Sequence, residues 1–190
     1  GLSDVTRSMQ VQRGLGASAL GISSVGGTMN MVTKSTEAQK GGSAYFGIGN
    51  DGFRKYSVSF STGLMDNGWA ITFMGSLNTG DGYVKGTNYE GWTYFGNISK
   101  VINDHHKLSL TAFGAPQWHN QRSTMHYIED YKNSPDGGRF NNGYGYINGE
   151  AVGSGYGYNY YHKPQVSLNH YWTIDEKSTL TTSLYGSMAT

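Results

Sequence analysis

The chain is 190 residues long, with 29 Gly, 15 Tyr, no Cys and only 14% charged residues, for a formal net charge of +1. The lack of Cys excludes disulfides and thiolate chemistry, and the near-neutral balance excludes the basic surface that nucleic-acid binding requires. So many rings exclude disorder, while Gly and aromatic enrichment at low charge suits barrels whose side chains mark two interfaces.

In chain order, the first 40 or so residues are rich in Gly and Ser and hold two short predicted strands, 9–13 and 28–33, joined by residues 14–27. A polar link follows at 35–42, flanked by Lys34 and containing Glu37 and Lys40. From there the hydrophobic period is two, which reads as strand. A short strand is predicted at 44–48. Over 56–64, Tyr56, Val58, Phe60, Thr62 and Leu64 share one face, and Ser57, Ser59, Ser61 and Gly63 the other. Trp69, Ile71 and Phe73 then alternate with Ala70, Thr72 and Met74. Shorter strands are predicted at 94–98 and 108–113. Near Val166, the residues Val166, Leu168, Trp172 and Ile174 oppose Gln165, Ser167, Asn169, Tyr171 and Thr173, with His170 as a polar intruder on the apolar face. Finally, Leu180, Leu184 and Met188 oppose Thr179, Thr181, Ser183 and Ser187.

Short connections at 65–68, 103–106 and 175–178 alternate with longer ones at 50–54, 78–90 and 116–163. Tight periplasmic turns alternating with longer extracellular loops are the mark of an up-and-down transmembrane barrel. No apolar run reaches the roughly 18 residues of a membrane-spanning helix, whereas strands of about 9 to 11 residues suffice to cross. About seven strands are too few to close, and an open edge cannot lie in hydrocarbon, so further strands are expected beyond Thr190.

Three stretches then stand together: Val11-Gln12-Arg13-Gly14, Ala17-Ser18-Ala19-Leu20-Gly21, and Val25-Gly26-Gly27-Thr28-Met29-Asn30-Met31-Val32-Thr33-Lys34. They resemble the C-terminal end of the plug of TonB-dependent outer-membrane receptors, a V-x-R-G followed downstream by G-G-x-I/V-N-I/V-x-T/S. Leu20-Gly21 departs from the aromatic that many members carry before the glycine. The resemblance implies an all-β fold. Residues 1–38 would end a plug domain, and residues 39–190 would begin an antiparallel up-and-down transmembrane β-barrel of about 22 strands in the cell outer membrane. It also implies uptake of a scarce nutrient (siderophore, cobalamin, glycan or peptide) driven by the TonB-ExbB-ExbD complex through a region outside this chain. A surface lipoprotein is a possible further partner. In that setting Arg13 is the expected plug–barrel contact, its guanidinium forked onto barrel carboxylates. A passive porin or adhesin barrel, or a soluble β-rich carbohydrate-binding module, are the alternatives.

No G-x-S-x-G, phosphate loop or H-E-x-x-H is present, so no enzyme and no cofactor are expected. His105 and His106 are adjacent, and in an extended chain their side chains point to opposite faces, so no metal site is expected there. The connection 116–163, about 48 residues, far exceeds ordinary loops and is expected to be functional. Trp118, His119, Arg122, Tyr144 and Tyr158 are its candidate contacts with substrate or a surface partner. Its tyrosines, spaced by Gly and Asn, combine large rigid faces with an adaptable backbone, as paratopes do; the alternative is that they pack on one another.

Overall fold

The computed structural model describes residues 6–13, 27–33, 39–122, 124–152 and 157–189. The fold is all-β and antiparallel, and among the described residues no helix is long and apolar enough to cross a membrane. Strands β1 (Thr6–Arg13) and β2 (Gly27–Thr33) pair with each other, Arg13 opposite Gly27. The two strands expected at 9–13 and 28–33 are therefore partners. The carboxylates expected to meet the Arg13 side chain, and the connecting residues 14–26, lie outside the described residues.

The main sheet contains β3 (Gly41–Ile48), β4 (Arg54–Ser61), β5 (Trp69–Gly80), β6 (Tyr89–Val101), β7 (His106–Gly114), β8 (Gln117–Asn120), β11 (Tyr158–Tyr161), β12 (Gln165–Thr173) and β13 (Thr179–Ser187). Between β8 and β11, β9 (Gly145–Ile147) and β10 (Glu150–Val152) form a separate hairpin. The main path runs β13-β12-β7-β6-β5-β4-β3, so each neighbour is next in chain order apart from the excursion between β8 and β11. Neither β3 nor β13 has an outer partner among the described residues, and the sheet does not close.

β7 and β8 are one strand in two pieces. Gly114 lies opposite Tyr94 and Gln117 opposite Gly91, three residues on along both strands, so the register runs unbroken past Pro116. Pro116 cannot donate to the ladder, yet its carbonyl accepts from Trp92 N–H at 2.8 Å. β11 and β12 are likewise one strand interrupted at Pro164: Tyr161 faces Gln117 and Gln165 faces Phe113, four residues on along each. Seven long strands thus account for the nine pieces, as the sequence pattern predicts. Their lengths differ from expectation. Residues 89–90 and 117–120, assigned to connections, and 91–93, left unassigned, extend β6 and β7. The strand expected to run to Leu64 stops at Ser61, where Gly63 turns with φ 64°.

The expected faces are present. Val58, Phe60, Ile71, Leu168, Trp172 and Leu184 lie on one face, all exposed. Burial is inverted with respect to a water-soluble sheet: on the sheet Ser61, Thr72, Ser76, Thr93, Asn97, Ser99, Ser109 and Thr111 are buried, and only Ala70, Met74 and Phe95 among the described apolar side chains are buried with them. On that polar face Asn97 Nδ2 donates to Ser109 Oγ at 3.0 Å and to Thr111 Oγ1 at 2.7 Å, and Ser61 meets Thr72 at 3.2 Å. Met74, Phe95 and Phe113 form one apolar row across it. Thr93 Oγ1, Asn97 Oδ1 and Ser99 Oγ, all on β6, are buried with no hydrogen-bond partner.

Rings gather at both ends of the exposed apolar face. At one end stand Trp92, Trp118, Tyr158 and Tyr160, with Trp118 and Tyr158 stacked at 6.1 Å. At the other are Trp69, with Lys100 Nζ at 5.2 Å over its ring, and Trp172 beside the His106–His170 pair. His106, expected in a turn, starts β7 and meets His170 Nε2 through Nδ1 at 3.0 Å. His170, the polar residue on the apolar face, belongs to this ring-rich end.

Candidate functional site

Three connections lie at the end of the sheet next to Trp92 and Trp118: 49–53, 81–88 and 121–157. The first is tighter than expected. Asp51 and Gly52 have φ 55° and 68°, and Phe53 N–H donates to the Asn50 carbonyl at 3.1 Å, as in a type I′ hairpin turn. The third is shorter than expected, because Gln117–Asn120 and Tyr158–Tyr161 are strand; Gln121 N–H closes it on the Gly157 carbonyl at 2.9 Å. Trp118, His119 and Tyr158 are therefore strand residues, which corrects their assignment to the loop.

The long connection is tied to the other two through a 3-10 turn, Gly137–Arg139. The Arg139 guanidinium donates to Asp51 Oδ1 at 2.5 Å and to the Tyr83 carbonyl at 3.2 Å, and lies 4.7 Å from the Tyr83 ring centroid. Lys85 Nζ meets Asp136 Oδ1 at 2.6 Å, and that hydrogen bond raises the lysine pKa above its ordinary value. The buried Asn141 donates to the Lys85 carbonyl at 2.7 Å, while Lys85 N–H donates to the Arg139 carbonyl at 3.0 Å. Tyr144 packs its ring over Gly86, where an added side-chain carbon would lie 2.7 Å from the ring and where φ is 75°. Tyr144 Oη donates to Tyr146 Oη at 3.3 Å, and this bond holds the Tyr144 pKa above the usual range. None of Arg139, Asp51, Lys85 or Asp136 was a candidate from sequence, since 88 residues separate the first pair and 51 the second.

The short helix α1 (Ile128–Asn133) sits in the same connection. Asp130 accepts from Tyr127 N–H at 3.0 Å and so caps its N-terminus. Behind it His126, Tyr131 and Phe140 pack ring against ring, and Arg122 donates to Tyr131 Oη at 2.5 Å. Met125, Tyr127 and Ile128 stand out in solvent at 95%, 83% and 72% exposure, an apolar tip that the sequence pattern did not single out.

Below the loops a cleft of about 440 Å³ opens between β5, β6 and β8, with Tyr89, Glu90, Gln117, Trp118 and His119 in its wall. Arg54, Asp81 and Asn88 line a second cleft of about 310 Å³, of which Glu90 and Trp118 are also part. Asn120 Nδ2 donates to Asn88 Oδ1 at 3.0 Å, and Trp92 Nε1 to Glu90 Oε1 at 2.8 Å. Flat rings beside amides and a carboxylate can hold a ligand carrying both apolar faces and hydroxyl or amide groups.

The five candidates do not converge. Trp118 and His119 line the first cleft, Tyr158 stacks on Trp118, Arg122 serves the α1 cluster, and Tyr144 closes over Gly86. Among the described residues no three His, Asp or Glu side chains are grouped to hold a metal ion. No protein-family model matches the chain, and no curated protein sequence does.

Proposed function

We propose that the chain is a segment of a TonB-dependent outer-membrane receptor, in which the sheet is part of the barrel wall and the Arg139-centred loops face the exterior. The observation that carries this reading is the inverted burial, an exposed apolar face bounded at both ends by rings. Tyr160 and Trp172, on the continuous strand β11–β12, lie about twelve residues apart. That is about 41 Å along a strand, or about 29 Å when tilted near 45°, the thickness of a bilayer's hydrocarbon core. The opposite face is built of Ser, Thr and Asn side chains, as the wall of a lumen filled by water and a polar plug would be. The motif at residues 11–34 favours a receptor over a passive pore or adhesin. In hydrocarbon, β3 and β13 both need neighbouring strands, and a full barrel supplies them.

The test is a deletion that spares β8 and β11. In the full-length protein, residues 124–152 are replaced by a short Gly-Ser linker, and uptake of the nutrient that the intact protein supports is measured. Membrane insertion should persist while uptake, or capture of a surface partner, is lost. Normal transport by the deletion variant would remove the loop from the mechanism. Transport that is unchanged in cells lacking TonB would overturn the receptor reading itself.

A further inference from the structure

The exposed apolar face carries a hollow of about 370 Å³, whose floor is Gly75 and whose walls are Tyr56, Val58, Phe73, Leu77, Trp92 and Tyr94. A side-chain carbon added at Gly75 would meet nothing closer than the Phe73 ring at 3.7 Å, so the space is open. The reason lies in Tyr94. It is paired with Gly75 on one side and with Gly114 on the other, and its ring lies over Gly114, with its hydroxyl 2.9 Å from His162 Nε2. That bond holds the ring off Gly75, and the opposite neighbour, Val58, is too small to fill the gap.

Two rungs of the same face nearer the loops stands Arg54, exposed, paired with Thr79 across the ladder and with no ion-pair or side-chain hydrogen-bond partner among the described residues. Four residues separate it from Val58, about 14 Å along β4. Asp81 and Glu90 line the same cleft as Arg54 without a hydrogen bond to it, Glu90 being engaged by Trp92. A guanidinium left unbonded at the ring-marked end of the face, above an apolar slot, matches a molecule with a phosphate at one end and hydrocarbon at the other. We propose that this hollow holds an acyl chain of a phosphate-bearing membrane lipid whose headgroup is met by Arg54. The site rests on the reading of this face as membrane-facing.

The test uses the full-length protein reconstituted in bilayers of equal parts phosphatidylglycerol and phosphatidylcholine, released into mild detergent and weighed intact with its retained lipid. The wild type should keep phosphatidylglycerol in preference. Gly75→Leu fills the hollow and should lower retention at least about fivefold, equivalent to about 1 kcal/mol. Arg54→Gln should erase the preference between the two lipids. Gly186→Leu, on the same face with open space above it, is the control and should behave as wild type. Retention by Gly75→Leu equal to wild type, or an equal loss in Gly186→Leu, would overturn the site. Unchanged phosphatidylglycerol preference in Arg54→Gln would overturn the headgroup assignment. Failure of the wild type to float with the vesicles would remove the membrane reading and the site together, which separates the two failures.

Discussion

Val166 stands on the apolar face of β12, about six residues from Tyr160 toward the loops and six from Trp172 toward the short turns, so it marks the middle of the band between the rings. Its side chain is 48% exposed, which makes replacement by Arg sterically tolerable. If the surroundings are water, such a surface change falls within about 0.5 kcal/mol of neutral. If they are hydrocarbon, an arginine at the midplane costs about 2–4 kcal/mol, and less toward either end. That difference is about 30- to 1,000-fold in the folding equilibrium. A series of Val166→Arg, Leu168→Arg and Ser167→Arg in the full-length protein, folded into phospholipid vesicles and titrated with urea, reads it directly. Val166→Arg should be the most destabilised and Leu168→Arg somewhat less so, because Leu168 lies nearer Trp172. Ser167→Arg, pointing to the opposite face, should cost less than either. Val166→Arg within 0.5 kcal/mol of wild type would refute the assignment of this face to lipid.

Arg139→Ala should change global stability by only about 1 kcal/mol, because its ion pair with Asp51 lies at the surface and is partly solvated, yet it should accelerate proteolysis within 121–157; unchanged cleavage would show that the loop is held by other contacts. In the turn between β12 and β13, Lys177 N–H donates to Asp175 Oδ1 at 2.8 Å and, with Ser178, holds the aspartate pKa below its ordinary value. A depressed carboxyl stabilises the turn above the unfolded-state pKa and loses that contribution as pH falls through the folded one. Protection of the Lys177 amide against exchange, taken relative to its intrinsic rate, should therefore fall in acid below the usual aspartate range, and in Asp175→Asn it should already be low at neutral pH and independent of pH; an acid-sensitive protection in Asp175→Asn would assign the effect elsewhere. Gly68→Ala should destabilise by more than about 1 kcal/mol in urea titration, since φ is 80° and the new methyl would lie 2.6 Å from the Val101 carbonyl oxygen. A neutral result would mean that the turn relaxes at no cost.

The strand faces were legible because alternation is a local signal: Ser57, Ser59 and Ser61 against Tyr56, Val58 and Phe60 admits one reading. Strand ends were harder. Pro116 and Lys163 read as the start and finish of a loop, whereas Pro116 and the adjacent Pro164 each remove a single donor from a strand whose register continues, so Trp118, His119 and Tyr158 stand on strands and not in the loop. The hairpin β9–β10 carried its signal in Asn148-Gly149, with φ 53° and 84°, inside a stretch noticed only for its tyrosines. The loop cluster was not legible at all. Nothing local to Arg139 names Asp51 as its partner, because the turn that presents each is set by its own neighbours and the meeting is made by the sheet beneath.

The paired interruptions at Pro116 and Pro164 lie on adjacent strands and at nearly the same height, so the ladder there has a seam, bridged by the side-chain bond from Tyr94 to His162. Above it, the stubs Gln117–Asn120 and Tyr158–Tyr161 zip to each other and carry the whole long excursion. Such a seam is a natural graft boundary. An excursion exchanged with its stubs, cut at the two prolines, brings its own base and leaves the rungs from Phe113 to His106 as they were, so this corner of the molecule can diversify as a cassette without refolding the wall that bears it.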